Sequence, residues 1–138
     1  MGEVFQPYRV GYDLRYREKK IEVKASGYLQ SWRQSGLSKI SFDIMPKKAL
    51  NETQNVYAEK AERNADCYIF CLYAETDRER ADILDIVAWE FYVITTARLN
   101  ALRPNQDSIS LGPLQKLVAP QKYDQLKAAV DQALFGGL

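Results

Sequence analysis

Residues 11–26 read Gly11-Tyr12-Asp13-Leu14-Arg15-Tyr16 and, after a charged segment, Lys20-Ile21-Glu22-Val23-Lys24-Ala25-Ser26. Apolar and charged side chains alternate in both runs, which is typical of the two strands of a β-hairpin. We expect the charged segment Arg17-Glu18-Lys19-Lys20 to form the turn that joins them.

The apolar positions set the expected register of this hairpin. Successive side chains of a strand point to opposite faces of the sheet. Pairing Leu14 with Val23 and Tyr16 with Ile21 therefore places all four apolar side chains on one face. We expect that face to pack against the core.

The charged side chains share the opposite face. In the same register Asp13 lies opposite Lys24, and Arg15 lies opposite Glu22. Two carboxylates beside a lysine are able to hold a divalent cation and activate a water molecule next to a phosphate. The alternative is a cross-strand ladder of ion pairs on a solvated face, each pair contributing about 0.2–1 kcal/mol. Geometry alone leaves both interpretations open.

The pattern Glu-x-Lys occurs twice in the chain. In Glu22-Val23-Lys24 the two charged residues alternate with apolar ones, as expected for a strand with one buried face. The other copy, Glu18-Lys19-Lys20, lies in the predicted turn without an apolar residue between its charges. We interpret it as a solvated loop, so only the first copy is a candidate site.

Asp13, followed after eight residues by Glu22-Val23-Lys24, resembles the core motif of the PD-(D/E)xK superfamily, the restriction-endonuclease-like nucleases. The resemblance implies an α/β fold with a mixed β-sheet flanked by helices. It implies Mg²⁺ or Mn²⁺ bound by Asp13, Glu22 and the carbonyl of Val23, with Lys24 positioning the attacking water. It also implies Gln30 as a secondary site residue, because some members use a glutamine beside the site.

The sequence from about Val10 to Leu134 is similar to an uncharacterised bacterial subfamily placed in this superfamily. Two features depart from the superfamily pattern. Tyr12 stands where a proline often precedes the aspartate, and many members carry a further acidic residue on a helix before the hairpin. Here Pro7 interrupts any such helix. The sequence thus predicts one nuclease-like domain over residues 1–138 that lacks this helix, through either subfamily variation or truncation.

Composition limits the class of protein and the available chemistry. The 138 residues are 46% hydrophobic and 27% charged, as in a soluble globular protein. Without a signal peptide or an apolar run of roughly 18 residues, we expect a cytoplasmic protein that does not enter a membrane. There is no histidine, which excludes Ser-His-Asp and Cys-His mechanisms. A hydrolase of this composition would rely on a metal and a lysine.

The charge distribution favours a nucleic-acid partner, which the resemblance to the nuclease superfamily implies to be DNA. Residues 1–48 contain ten Lys and Arg against five Asp and Glu, whereas residues 49–138 contain nine against thirteen. Positive charge beside a carboxylate pair is suited to binding a phosphate backbone. A homodimer remains open, because dimerisation leaves no readable trace in the sequence.

Periodicity predicts the remaining elements. We expect a short helix over 28–34 capped by Ser26, with Tyr28 and Trp32 packed in the core, and a loop over 45–57. Cys67 and Cys71 lie roughly 13 Å apart on a predicted strand, too far for a disulfide, and are interpreted as core residues. The other predicted elements are strands at 39–44, 67–73, 89–95 and 108–111, a helix ending at Leu102, and a helix over 123–134.

Three hypotheses for function remain at this point. The first is Mg²⁺-dependent hydrolysis of DNA phosphodiester bonds by Asp13, Glu22 and Lys24. The second is a catalytically inactive nuclease-fold module that binds nucleic acid or a protein partner. The third is an unrelated α/β protein in which the charged cluster is structural, and it predicts carboxylates splayed on a flat, exposed face.

Overall fold

The computed structural model describes residues 4–5, 12–48, 50–51, 56–57 and 59–136. Its strands are β1 (Val4–Phe5), β2 (Leu14–Tyr16), β3 (Lys19–Gly27), β4 (Ser41–Asp43), β5 (Leu50–Asn51), β6 (Val56–Tyr57), β7 (Cys67–Tyr73), β8 (Trp89–Thr95) and β9 (Ser108–Ser110). Its α-helices are α1 (Thr96–Leu102), α2 (Leu111–Leu117) and α3 (Tyr123–Phe135).

The main sheet has five strands in the order β1-β2-β3-β7-β8. Neighbouring strands are antiparallel except β3 and β7, which run parallel. The expectation of an α/β protein with a mixed sheet is confirmed. The two short strands β4 and β9 pair with each other in a separate sheet, and so do β5 and β6.

The hairpin forms, but its turn is shorter than predicted. Arg17 and Glu18 alone make the turn, with φ angles of 50° and 69°, as required at both central positions of a two-residue type I′ turn. The observed partner of Leu14 is Ile21, not Val23, and Arg15 lies opposite Lys20. The predicted register is therefore wrong by two residues. Because the slip is even, every side chain keeps its predicted face.

Two apolar cores lie on the two faces of the main sheet. On one face, α3 packs against a core that includes Tyr16 and Ile21, with Leu14 and Val23 at its margin. The predicted apolar face of the hairpin is thus confirmed. The other core lies beneath α1, α2 and the β4–β9 pair, and includes Phe42, Tyr68, Phe70, Tyr92, Leu99, Ile109 and Leu114.

Strands β7 and β8 are central to both cores and match their predicted bounds. Six of the seven residues of β7 are buried, as expected for a strand covered on both faces. Cys67 and Cys71 are free thiols on this strand. Helix α1 ends at Leu102 as predicted, and it begins after Thr95, whose hydroxyl accepts a hydrogen bond from Arg98 N–H.

Several predictions of secondary structure and core packing are wrong. Residues 28–34 form a loop, because the Gln34 side chain bonds Gln30 N–H, the Tyr28 carbonyl and the Ser38 hydroxyl in place of helical bonds. Trp32 is 63% exposed and not in the core. The segment predicted as a loop over 45–57 contains the short strands β5 and β6, and α2 was not predicted.

Within the described residues, no helix is long and apolar enough to cross a membrane.

Candidate active site

Asp13 lies immediately before β2 begins and is held there by two hydrogen bonds to β3. Its N–H donates to the Ile21 carbonyl over 2.9 Å, and its Oδ2 accepts a hydrogen bond from Val23 N–H over 2.8 Å. The ladder between β2 and β3 stops at the pair Leu14–Ile21. Beyond this pair, the Asp13 carboxylate accepts the next hydrogen bond from β3 in place of the β2 backbone. Asp13 therefore lies level with Glu22.

Glu22 and Lys24 project from β3 on the face opposite α3. Lys24 Nζ lies 3.1 Å from Glu22 Oε2, and both side chains are largely shielded from solvent. Burial raises the pKa of Glu22, the neighbouring Asp13 carboxylate adds to the rise, and Lys24 opposes it. Burial, which Lys24 only partly offsets, is thus the main reason that the pKa of Glu22 is raised, and a bound cation would favour the ionised carboxylate.

The structure adds two residues that the sequence did not indicate, Asp43 and Lys47. Asp43 Oδ2 lies 3.0 Å from Lys47 Nζ and 3.8 Å from Lys24 Nζ. Although partial burial alone would raise the pKa of Asp43, hydrogen bonds from Met45 N–H and Lys47 lower it. Asp43 thus links two lysines and extends the site away from the hairpin.

A small cleft of about 40 Å³ lies over this cluster. Its lining includes Glu22, Lys24, Asp43 and Lys47, with Tyr68 as well. The volume suits a few water molecules or a hydrated ion. A purely structural cluster predicts a flat, exposed face, and the observed side chains instead line a concavity.

The backbone around the cleft is fixed by two sets of bonds. Lys47 and Glu62 exchange backbone hydrogen bonds of 3.1 and 3.0 Å. Next to them, the buried guanidinium of Arg63 donates to the carbonyls of Ile44, Arg103 and Gln106 and to the side-chain carbonyl of Asn100. These bonds fix the backbone position of Lys47, which lines the cleft.

Tyr68 connects the cleft to the core. It is the register partner of Glu22 on the parallel strand β7 and is 5% exposed. Burial raises the pKa of Tyr68 to about 12, and the carboxylates of Glu22, Asp43 and Asp13 add to the rise. Its phenol stays neutral at physiological pH and is able to donate a hydrogen bond into the cleft.

The structure differs from three predictions about the side chains around the site. The Gln30 side chain donates to the Gly27 carbonyl over 2.9 Å, so it caps the loop after β3 and does not reach the cleft. Because Arg15 lies opposite Lys20, the predicted Arg15–Glu22 pair does not form. Lys24 contacts Glu22 and Asp43 in place of the predicted pair with Asp13.

The donor atoms available beside the hairpin are oxygens. Asp13 and Glu22 supply carboxylates, and the Val23 carbonyl shares a strand edge with Val23 N–H, beyond the end of the β2 ladder. Among the described residues, no group of three or more His, Cys, Asp or Glu side chains is placed to hold a metal ion. Mg²⁺ typically needs only one or two carboxylates, since water and substrate phosphates complete its shell. The two carboxylates and the carbonyl are oxygen donors of the kind that Mg²⁺ binds.

Comparison with models of known protein families, with curated proteins and with solved structures gives no match. The geometry of the site is therefore the basis for assigning a function.

Proposed function

We propose that this protein is a Mg²⁺-dependent nuclease that hydrolyses phosphodiester bonds of DNA, built on a restriction-endonuclease-like core. One observation carries the proposal: the Asp13 carboxylate is bonded to Val23 N–H beside Glu22, with Lys24 two residues further along the same face. Two carboxylates and a cationic donor thus lie close together on the hairpin, beside the cleft that Glu22 and Lys24 line, and such groups support the chemistry of phosphodiester hydrolysis.

Each residue has a separate role in this mechanism. Asp13 and Glu22 would hold the cation, with the Val23 carbonyl as a third oxygen. The cation would supply charge neutralisation at the phosphate and acidify a bound water. Lys24 donates hydrogen bonds that orient the attacking water and stabilise negative charge on the phosphate oxygens. Asp43 provides Lys24 with a second carboxylate partner at 3.8 Å.

Lys47 would bind the DNA backbone next to the scissile phosphate. Its ammonium shares Asp43 with that of Lys24, so the two cations lie on one side of the cleft. A phosphate oxygen approaching Lys47 would compete with Asp43 for the same donor. We therefore assign Lys47 to substrate binding and Lys24 to the chemical step.

A plasmid-nicking assay with Mg²⁺ or Mn²⁺ tests the proposal. Asp13→Asn, Glu22→Gln and Lys24→Met should each reduce the rate of cleavage by about 100-fold or more, because each removes a ligand or a donor used in the transition state. EDTA should abolish cleavage by the wild-type protein. The matched control is Glu18→Gln, which makes the same change in the exposed turn and should leave the rate unchanged.

Wild-type rates in all three variants, with circular dichroism confirming that they are folded, would contradict the assignment. Lys47→Met should raise KM while leaving kcat close to wild type. The slope of the logarithm of DNA affinity against the logarithm of salt concentration should fall by about one, as expected for the loss of one phosphate contact. Its control is Lys48→Met, a change in the next residue, whose exposed side chain does not line the cleft. Equal effects of the two changes would exclude a specific role for Lys47.

One observation favours the alternative of an inactive module that binds without cleaving. Among the described residues, no group of three or more acidic, histidine or cysteine side chains could hold a metal ion, and Lys24 already pairs with Glu22. Calorimetric titration with Mg²⁺ separates the two functions. A nuclease should bind the ion with an affinity that Glu22→Gln abolishes, whereas an inactive module should bind DNA without binding the ion.

A further inference from the structure

Two loops leave the same end of the main sheet. Strand β3 ends at Gly27, which pairs with Tyr73, the last residue of β7, and Tyr73 pairs with Trp89 at the start of β8. Residues 28–39 follow β3, and residues 74–88 connect β7 to β8. The two loops therefore begin from adjacent strand ends, several residues beyond the candidate active site.

Exposed apolar side chains concentrate in these two loops. Of the eleven large hydrophobic residues that are exposed in the described part of the chain, six lie here: Trp32, Leu37, Ile83, Leu84, Ile86 and Val87. Leu84 is 84% exposed and Val87 is 75% exposed. Single exposed apolar residues are ordinary, but a cluster of this kind marks an interaction surface.

The longer loop is held in one conformation despite its exposure. The Tyr73 hydroxyl accepts a hydrogen bond of 2.6 Å from Asp82 N–H, and Trp89 Nε1 donates to the Ile83 carbonyl over 2.8 Å. Asp85 caps the turn that carries Val87, through a bond of 3.1 Å to its N–H. Because the apolar side chains are already positioned, binding would require little further ordering of this loop.

The two loops carry opposite charge. Residues 74–88 contain five acidic residues and two arginines, a net charge of −3, whereas residues 28–39 contain Arg33 and Lys39 and no acidic residue. Arg78 joins the loops, since it donates to the Gln30 carbonyl over 3.1 Å and to Gln34 Oε1 over 2.6 Å. An acidic apolar loop and a basic apolar loop thus lie side by side.

We infer that this surface binds a second copy of the same chain. A two-fold axis would place the acidic loop of one copy on the basic loop of the other, and the reverse contact would form at the same time. Both contacts would pair opposite charges and cover exposed apolar side chains. The acidic charge of residues 74–88 disfavours a nucleic-acid occupant. The proposed dimer does not depend on the nuclease assignment.

Sedimentation velocity over a range of protein concentrations tests this inference. The wild-type chain should show a reversible monomer–dimer equilibrium. Leu84→Gln and Val87→Gln should each raise the dimer dissociation constant more than tenfold, because each removes an apolar contact at the surface. Val56→Gln is the matched control, since it changes an equally apolar side chain that is 56% exposed on β6 and should have no effect.

A charge-swap experiment tests which loop faces which. One variant carries Arg33→Glu and Lys39→Glu, and the other carries Thr76→Lys, Glu79→Lys and Ala81→Lys; all five positions are exposed, and no described hydrogen bond or ion pair uses their side chains. Each variant alone should be monomeric, because its two facing loops then carry like charges. An equimolar mixture should form the heterodimer, because both contacts again pair opposite charges.

A wild-type chain that stays monomeric at all concentrations would overturn the inference. A dimer that is insensitive to Leu84→Gln and Val87→Gln would place the interface elsewhere and also overturn it. Failure of the two charge-swapped variants to associate on mixing would exclude the reciprocal arrangement. Circular dichroism of each variant ensures that a monomer is a folded monomer.

Discussion

Arg17 and Glu18 are the two non-glycine residues with positive φ in the described part of the chain. The left-handed conformation costs an L-residue roughly 1–2 kcal/mol. Arg17 offsets part of this cost with its side chain, which lies 4.4 Å from the centre of the Phe135 ring and 3.9 Å from Asp131. Among the described interactions, Glu18 has no comparable side-chain contact. The conformational cost of its positive φ is therefore not offset in this way.

We predict that Glu18→Gly stabilises the protein. Glycine adopts a positive φ without steric cost, although it also adds conformational freedom to the unfolded chain. The free energy of unfolding should rise by about 0.5–1 kcal/mol, measured by urea denaturation. Glu18→Ala is the control, since alanine keeps the Cβ atom, and it should give no such gain. A lower urea midpoint for Glu18→Gly would contradict the geometry assigned to this turn.

In the hairpin, the face of each side chain could be predicted from the sequence, but the register of the two strands could not. Alternation identified the correct faces for Leu14, Ile21, Glu22 and Lys24, because side-chain period is a local property of a strand. The register depended on the turn, and Arg17-Glu18 lacks the Asn or Gly that signals a two-residue turn. The sequence therefore predicted that Glu22 and Lys24 share one face, but not that Asp13 lies level with Glu22 or that Asp43 and Lys47 lie beside them.

Contacts between elements hold the hairpin against helix α3. The Tyr16 hydroxyl donates to Asp131 over 2.8 Å, and Lys127 lies 2.8 Å from the same carboxylate. With Arg17 close by, three side chains converge on one residue of α3. This contact fixes one face of the hairpin, and the face that carries Glu22 is thereby oriented toward the cleft.

The contribution of Asp131 to stability should depend on pH. Hydrogen bonds from Lys127 and Tyr16 lower its pKa below the ordinary value of 3.8, so the folded state favours the ionised carboxylate. The resulting stabilisation is present above pH 3.8 and is lost as the pH falls through the lowered pKa. Asp131→Asn should therefore unfold at a lower urea concentration than wild type at pH 7.

This difference in urea midpoint should shrink as the pH is lowered below about 4. The control is Asp107→Asn, at an exposed position whose side chain makes none of the described hydrogen bonds, and its effect should be small at every pH. A difference between Asp131→Asn and wild type that stays constant down to pH 2 would exclude the ionic contribution.

Two features of the secondary structure could not be predicted from local sequence patterns: the position of β4 and the helix α2. Strand β4 was predicted from the alternation of Ile40, Phe42 and Ile44, and all three are buried. Its place opposite β9, with Asp43 facing Lys24, is set by tertiary packing that no local pattern encodes. Helix α2 contains Gly112 and Pro113, which suppress a helical signal although proline is tolerated in a first turn.

At the scale of the whole molecule, β7 joins the two cores. Cys67 belongs to the core under α3, whereas Phe70 belongs to the core on the other face. Burial raises the pKa of Cys67 to about 12, with a smaller contribution from Asp66, and that of Cys71 to about 11. Because the thiolate is the reactive form, both thiols should be inert in the folded protein.

We predict that thiol labelling with Ellman's reagent reports unfolding of the entire sheet. At pH 8 both thiols should react slowly in the native protein, and the buried Cys67 more slowly than the half-buried Cys71, because labelling of Cys67 requires the central strand to separate. In urea above the unfolding midpoint, two thiols per chain should react rapidly. Fast labelling of Cys67 in the native protein would show that β7 opens locally, without global unfolding.

The parallel pairing of β3 with β7 has a consequence for the order in which the molecule assembles. Residues 28–66 must be spanned before these strands meet, and pairing across so long a connection is slow. A hairpin, by contrast, closes in about 1–10 μs. We therefore expect Asp13 and Glu22 to meet early during folding, whereas Lys24 gains its second partner, Asp43, only after the connection that carries Asp43 has folded.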